Sequence, residues 1–321
     1  MSLRPLWREW ASQAGQSTTC GASSGWSVRL NDTRSRHAQE GRGKSRARLA
    51  SLRIRTEGTR LYKGLASPTD GVLVEQLTGK DRLIVALDVP TVDEALRRVE
   101  ELDNISFFKI GLQLFLTGGL PLLLQKLRTT KRVFVDLKVP GDIANTVAAV
   151  IDMCVENSVA FLTLSESMPL PAIAAATAAR TAKHSDTPKL LTVPFLSSLD
   201  AGDLPAGAGG QRDLETYILG RAHAAIEAGC DGVIASGRAI QVCRRAFAEP
   251  TLIVSPGIRP AGASTDDHKR HTTPSDAIRL GADYLVVGRP ILKDPNPREA
   301  AQRIIAEIDG ALEPQFQIPS N

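Results

Sequence analysis

The sequence predicts an α/β protein built as a single (β/α)8 TIM barrel behind a basic, low-structure N-terminal extension, and three observations carry that prediction. Eight short apolar runs alternate with eight helical patterns between Arg82 and Leu312. The runs are continuously apolar, as strands covered on both faces are, and so belong to a parallel barrel better than to a half-exposed sheet. Charged residues collect where those runs end, the face on which such barrels gather their reacting groups.

The chain has 321 residues, 42% of them apolar and 23% charged, which is ordinary for a soluble globular protein. Its formal charge of +4 hides an asymmetry: residues 1–70 hold 13 Lys or Arg against 5 Asp or Glu, leaving 26 against 30 for the remainder. Residues 1–75 read as the extension, rich in Arg, Ser, Gly and Gln, with no sustained apolar period although Trp7, Trp10 and Trp26 lie there. Its arginines leave several readings open: a solvated arm, a stretch upstream of the natural start, or a targeting or nucleic-acid-binding segment. Nucleic acid is not the expected partner. Residues 76–321 form the barrel. Cys20, Cys154, Cys230 and Cys243 show no Cys-x-x-Cys spacing, which points to a reducing compartment and a cytoplasmic protein. No run of about 18 uncharged apolar residues occurs, so no membrane partner is expected.

Taken in order, the first strand is Leu83 to Asp88, followed by a helix over Val92 to Leu102, and the second is Phe107 to Ile110, followed by Gly119 to Leu127. The third strand, Val133 to Lys138, matters most. Asp136 and Lys138 stand two apart, hence on one side of it, and emerge from the apolar run Val133-Phe134-Val135. Pro140 and Gly141 stop the strand, Asp142 takes the N-cap position, and Ile143 to Val155 carries apolar residues at helical spacing, giving a helix over Asp142 to Asn157. The remaining pairs are Phe161 to Leu164 with Pro171 to Thr181, Leu190 to Val193 with Leu214 to Ala228, and Gly232 to Ala235 with Ala239 to Ala248. Leu252 to Val254 with Pro274 to Leu280, and Tyr284 to Val287 with Pro297 to Leu312, complete the eight.

An isolated Asp-x-Lys is compatible with a structural ion pair, and Asp142 with a simple cap; the company they keep decides. The strand ends carry Asp88, Lys109, Asp136, Lys138, then Ser197 or Ser198, then Arg259 and Arg289. Asp88 and Lys109 follow apolar runs and could not be buried there without a partner or a ligand. Ser255-Pro256-Gly257-Ile258-Arg259 and Gly288-Arg289-Pro290 follow the last two strands, where barrels hold phosphate: glycine admits backbone N–H groups close to the anion and arginine offers a charged fork.

Leu87-Asp88, Phe108-Lys109, Asp136-x-Lys138, Asp142-Ile143-x-x-Thr146, the Pro-Gly-Ile-Arg loop and Val287-Gly288-Arg289-Pro290 together resemble the orotidine 5′-phosphate decarboxylase family over residues 80 to 313. The resemblance implies decarboxylation of orotidine 5′-monophosphate to UMP with no cofactor and no metal. Lys138, Asp136 and Asp142 would be the catalytic residues, with Asp88, Lys109, Thr146, Ser198, Arg259, Gly288 and Arg289 binding substrate. It also implies a homodimer in which Asp142 and Thr146 reach the neighbouring subunit's site. The chain departs from the family's pattern at three places. One extra residue separates Lys138 from Asp142, which Pro140 and Gly141 are expected to absorb as a bulge. Ala261 stands where a glutamine is common, and Ser165-Glu166-Ser167 where a His-Ala-Ser type sequence is frequent. Two alternatives stay open: a metal-dependent sugar-phosphate decarboxylase or aldolase of the same superfamily, and a non-catalytic nucleotide binder.

Overall fold

Eight parallel strands close on one another in chain order in the computed structural model, which describes residues 77–204, 214–260 and 272–313. They are β1 (Leu83–Ala86), β2 (Phe107–Gly111), β3 (Arg132–Val139), β4 (Val159–Leu164), β5 (Lys189–Thr192), β6 (Gly232–Ile234), β7 (Leu252–Ser255) and β8 (Tyr284–Val287). The last pairs with the first through Leu83 opposite Leu285 and Val85 opposite Val287, so the sheet has no open edge. The expectations for residues 1–75, including the three tryptophans and Cys20, and for Ala261 lie outside the described residues.

Every strand except the third is short and buried almost throughout, and side chains alternate between the barrel interior and the helical layer. The interior set is Ile84, Ala86, Phe107, Phe134, Phe161, Leu191, Val254, Tyr284 and Val286. Phe107, Phe161 and Tyr284 meet edge to face at centroid distances of 5.1 to 6.0 Å and fill the barrel beneath the mouth. The outward set packs under the helices.

Those helices are α1 (Gly79–Arg82), α2 (Val92–Glu101), α3 (Leu112–Leu116), α4 (Leu120–Leu127), α5 (Ala144–Glu156), α6 (Leu170–Ala182), α7 (Leu214–Glu227), α8 (Arg238–Ala246), α9 (Pro274–Arg279), α10 (Arg289–Leu292) and α11 (Pro297–Leu312). Three of them, α1, α3 and α10, are short additions that apolar periodicity did not mark. One assignment needs correction: Asp142 does not cap α5. Ile143 occupies the N-cap position, and the Asp142 carboxylate accepts the Ile143 N–H at 2.7 Å, turning the chain one residue before the helix begins. The cause lies upstream. Between the pairs Val135–Leu162 and Val139–Leu164, β3 has three residues and β4 one, so the extra length is taken up inside the strand, with Lys138 at φ 49°, as well as at Gly141, φ 97°.

At the opposite, amino-terminal end the same clamp occurs twice. Asp231, just before β6, accepts the Leu190 N–H at 2.7 Å and pairs with Arg180 of α6; Asp283, just before β8, accepts the Ile253 N–H at 2.7 Å and pairs with Arg244 of α8 at 2.6 Å. Each carboxylate thereby ties two strands and a helix. Asp231→Ala strands the buried Arg180 guanidinium and should destabilise the barrel by on the order of 3 kcal/mol. Thermal unfolding checks this: a Tm within about 2 °C of wild type would show that water replaces the carboxylate at no cost.

Candidate active site

The carboxyl ends of the strands enclose a cavity of about 250 Å³, and Asp88, Lys109, Asp136, Lys138, Arg259, Gly288 and Arg289 all line it. Alternation explains their convergence: Asp88 continues the inward positions Ile84 and Ala86, Lys109 follows Phe107, and Asp136 follows Phe134.

Four of these form one chain of alternating charge. Lys109 Nζ lies 3.2 Å from Asp88 Oδ1 and 3.3 Å from Asp136 Oδ2, and Lys138 Nζ lies 2.8 Å from Asp136 Oδ1. The Asp136 carboxylate is thus bridged by an ammonium on each oxygen. Exposure separates the four into two roles: the Lys109 and Asp136 side chains are 10% and 14% exposed, those of Lys138 and Asp88 42% and 56%. The inner pair is the more deeply buried and the outer two are the more open, while all four line the cavity. Burial works against the Lys109 ammonium, but Asp136 and Asp88 outweigh it and hold its pKa above the ordinary lysine value. Burial likewise opposes the Asp136 carboxylate, yet Lys109, Lys138 and the hydroxyl of Thr163 keep its pKa below the ordinary aspartate value. Room for the chain comes from Gly111, where a Cβ would sit 3.3 Å from both Asp88 Oδ1 and Lys109 Nζ.

Across the cavity, Gly257 adopts φ 75°, a turn open to glycine, and delivers Arg259, which is 7% exposed and donates through Nη1 to the Ile258 carbonyl at 2.9 Å. Gly288 and Arg289 follow β8 into the same wall, and a Cβ on Gly288 would make ordinary contact with Ala86 Cβ and Asp88 Oδ2 at 3.4 Å. Two guanidinium groups therefore face the charge chain from the loops after β7 and β8.

Three expected residues stand elsewhere. Ser198 is exposed and does not line the cavity; Ser197 does, together with Phe195 and Leu196 of the same turn. Asp142 and Thr146 are exposed and do not line this cavity either. Conversely, the sequence reading missed Thr163, Ser236, Phe195 and Ile234. Thr163 is 1% exposed and donates to Asp136 Oδ1 at 2.9 Å; Ser236, Phe195 and Ile234 are cavity walls. Thr163 was within reach, since it is the inward residue of β4 after Phe161. Among the described residues, no group of three or more His, Cys, Asp or Glu is placed to hold a metal ion.

A closed parallel barrel with lysines and aspartates alternating at its mouth, opposite glycine-arginine loops after the last two strands, defines a class: barrels that bind a phosphorylated ligand and work on it with ammonium and carboxylate groups. The profile of the orotidine 5′-phosphate decarboxylase / HUMPS family matches residues 81–304, and the chain belongs to that family. It is 44% identical to the orotidine 5′-phosphate decarboxylase of Rhodopseudomonas palustris (strain BisB5) over 230 residues, 71% of this chain and 95% of the relative. The enzyme of the same name from Nitrobacter winogradskyi is 42% identical over 236 residues, 73% and 95% of the two chains. Among solved structures, orotidine 5′-phosphate decarboxylase from Lactobacillus acidophilus superimposes with TM-score 0.61 at 28% identity, covering 71% of this chain and 98% of that one. An uncharacterized conserved protein from Geobacillus kaustophilus does so with TM-score 0.60 at 26% identity, covering 70% and 99%.

The charge chain makes a pH-dependent prediction. A carboxyl whose folded pKa is depressed contributes stability above its unfolded pKa of about 3.9 and loses it as pH falls through the folded value. Lys109→Met removes one of the two ammonium groups on Asp136 and raises that folded pKa. The variant should therefore be less stable than wild type by on the order of 3 kcal/mol at neutral pH, with the gap narrowing as pH falls below about 4 through the depressed Asp136 value. Denaturant unfolding across that range measures it; a gap that does not change with pH would show that Asp136 does not depend on Lys109.

Proposed function

We propose that the chain converts orotidine 5′-monophosphate to UMP and carbon dioxide as a cofactor-independent carboxy-lyase of pyrimidine biosynthesis. The observation that carries this reading is the Lys138 ammonium, held 2.8 Å from Asp136 and open to the cavity, opposite two arginines. Arg289 and Arg259 hold the phosphate, with Gly257 and Gly288 allowing close backbone approach. Asp88 and Lys109 engage the ribose hydroxyls and the charge chain. Ser197, in place of Ser198, meets the pyrimidine edge.

The chemical difficulty is the electron pair left on C6 when the bond to the carboxylate breaks. Lys138 places positive charge against that pair as it develops and donates a proton to C6, while the carbon dioxide leaves. Asp136 lies against the departing carboxylate, and repulsion between the two raises the bound substrate relative to a transition state whose charge has moved onto carbon. Phosphate binding far from C6 holds the base in register with Lys138.

The working form in this reading is a homodimer, with Asp142 and Thr146 completing the partner subunit's site. Both are exposed, and the same rim carries Leu112, Phe115, Leu116 and Ile143, which are 43% to 73% exposed although apolar. No helix among the described residues is long and apolar enough to cross a membrane, and the cysteine pattern supports a cytoplasmic setting.

Loss of orotidylate absorbance by the purified protein, unaffected by a chelator, is the expected result; chelator-sensitive turnover of a sugar phosphate would favour the metal-dependent alternative. Lys138→Ala should abolish turnover and leave UMP binding nearly intact, and turnover within about tenfold of wild type would rule out the proton-donor role. Asp142→Asn should lower turnover well beyond what the roughly 1 kcal/mol of a helix-start interaction accounts for. Normal turnover by Asp142→Asn in the dimer would confine Asp142 to the turn before α5.

A further inference from the structure

The third strand breaks its ladder where its catalytic pair emerges. Residues 136–138 face a single residue of β4, Thr163, so Lys138 reaches the cavity with its backbone N–H cut off from the carbonyl it would have used in a regular pairing. It does so at φ 49°, a left-handed conformation that non-glycine residues adopt only where their surroundings impose it.

One side chain repairs both consequences. The Lys138 N–H donates to Thr163 Oγ1 at 2.9 Å, and the Thr163 hydroxyl donates its proton to Asp136 Oδ1 at 2.9 Å, the same oxygen that receives Lys138 Nζ at 2.8 Å. A threonine hydroxyl has one proton to give, and here it is committed to the carboxylate. The hydroxyl is buried and closes a ring that runs from the Lys138 backbone through Thr163 to Asp136 and back along the Lys138 side chain.

We infer that Thr163 is a positioning residue for the reaction, a hydroxyl strut that sets the Lys138 ammonium and the Asp136 carboxylate in their working geometry by holding the bulge between them. This inference rests on the decarboxylase reading for its kinetic consequences, while its geometric consequence stands apart from it. The register of the barrel does not otherwise need the hydroxyl. Val139 resumes pairing with Leu164 beyond the bulge, and the Ser165 N–H donates to the Val139 carbonyl at 2.9 Å, so the strands are already joined on either side.

Thr163→Val keeps the shape and removes the hydroxyl; Thr163→Ser keeps the hydroxyl and removes a methyl group. The valine variant should lose kcat by at least about tenfold with KM and UMP affinity within about threefold of wild type, and the serine variant should recover most of the kcat. If the valine variant does not yield folded protein, Thr163→Cys, close in size but with a weaker donor, takes its place and should show the same split. Crystal structures of wild type and variant supply the readout that does not depend on turnover. Without the hydroxyl the Lys138 Nζ to Asp136 Oδ1 contact should open beyond hydrogen-bond reach or Lys138 should leave φ 49°. A valine or cysteine variant with kcat near wild type, a serine variant as impaired as the valine one, or an unchanged bulge without the hydroxyl would each overturn the inference. A wild-type protein inactive on orotidylate would instead remove the decarboxylase reading, leaving the crystallographic comparison to decide the role of Thr163.

Discussion

A buried ammonium beside a buried carboxylate organises this barrel. Lys109 and Asp136 could not be placed at the ends of two adjacent interior strands singly, because an unpaired charge there would lose its hydration with nothing in return. Together they hold each other ionised, and the two groups at the ends of the chain, Asp88 and Lys138, inherit fixed positions without being buried themselves. The site is polarised by construction. Its buried members are fixed by their pairing, its open members are more exposed, and all four line the same cavity.

The same constraint shapes the backbone around it. A regular β3 would place residues opposite β4 one for one, and the bulge instead crowds Asp136, Leu137 and Lys138 against Thr163. The left-handed Lys138 is the local cost, offset by three hydrogen bonds that converge on one carboxylate oxygen and one hydroxyl. Glycines then mark two places where the backbone is constrained: Gly111 beside Lys109 and Gly257 in the turn that brings Arg259 inward. Each sits at a carboxyl end, in keeping with a scaffold that is regular at the bottom and irregular where chemistry happens.

Most of this was legible in the sequence because two simple periods govern it. Continuous apolar runs gave the eight strands to within two residues, and inward alternation gave Asp88, Lys109, Asp136 and Lys138 as neighbours. What escaped obeys rules that single residues do not announce. Thr163 reads as one more β-branched strand residue, and only its register against β3 makes it a partner of Asp136. Asp142 has the right type for a cap, but the length absorbed by the bulge moved the helix start past it. Ser197 and Ser198 are chemically identical, and the choice between them is made by the turn after Phe195, a conformation no pattern of hydropathy encodes. The short helix α3, with Leu112 and Leu116 exposed, likewise does not read as an isolated amphipathic segment, because its apolar residues lie on the exposed side as well as the buried one.

Strand β3 displays the governing physics at both ends. At its start Arg132 turns into the barrel floor and lies over the Phe107 ring, 4.1 Å from its centre, within 5.5 Å of the Tyr284 ring and donating to the Tyr284 hydroxyl at 3.4 Å. Two residues on comes Phe134, packed among the aromatic rings, and two further on comes Asp136. One inward-facing column therefore carries a cation, an apolar spacer and an anion, and it satisfies the two charges by different means. The guanidinium is broad, weakly hydrated and tolerant of aromatic faces, so at the floor the rings, the Tyr284 hydroxyl and the field of the Asp81 carboxylate suffice. The carboxylate is compact and strongly hydrated, so at the mouth nothing less than two ammonium groups and a hydroxyl replaces the water it gave up. That difference is why the floor of the barrel can be a plug while the mouth must be a network.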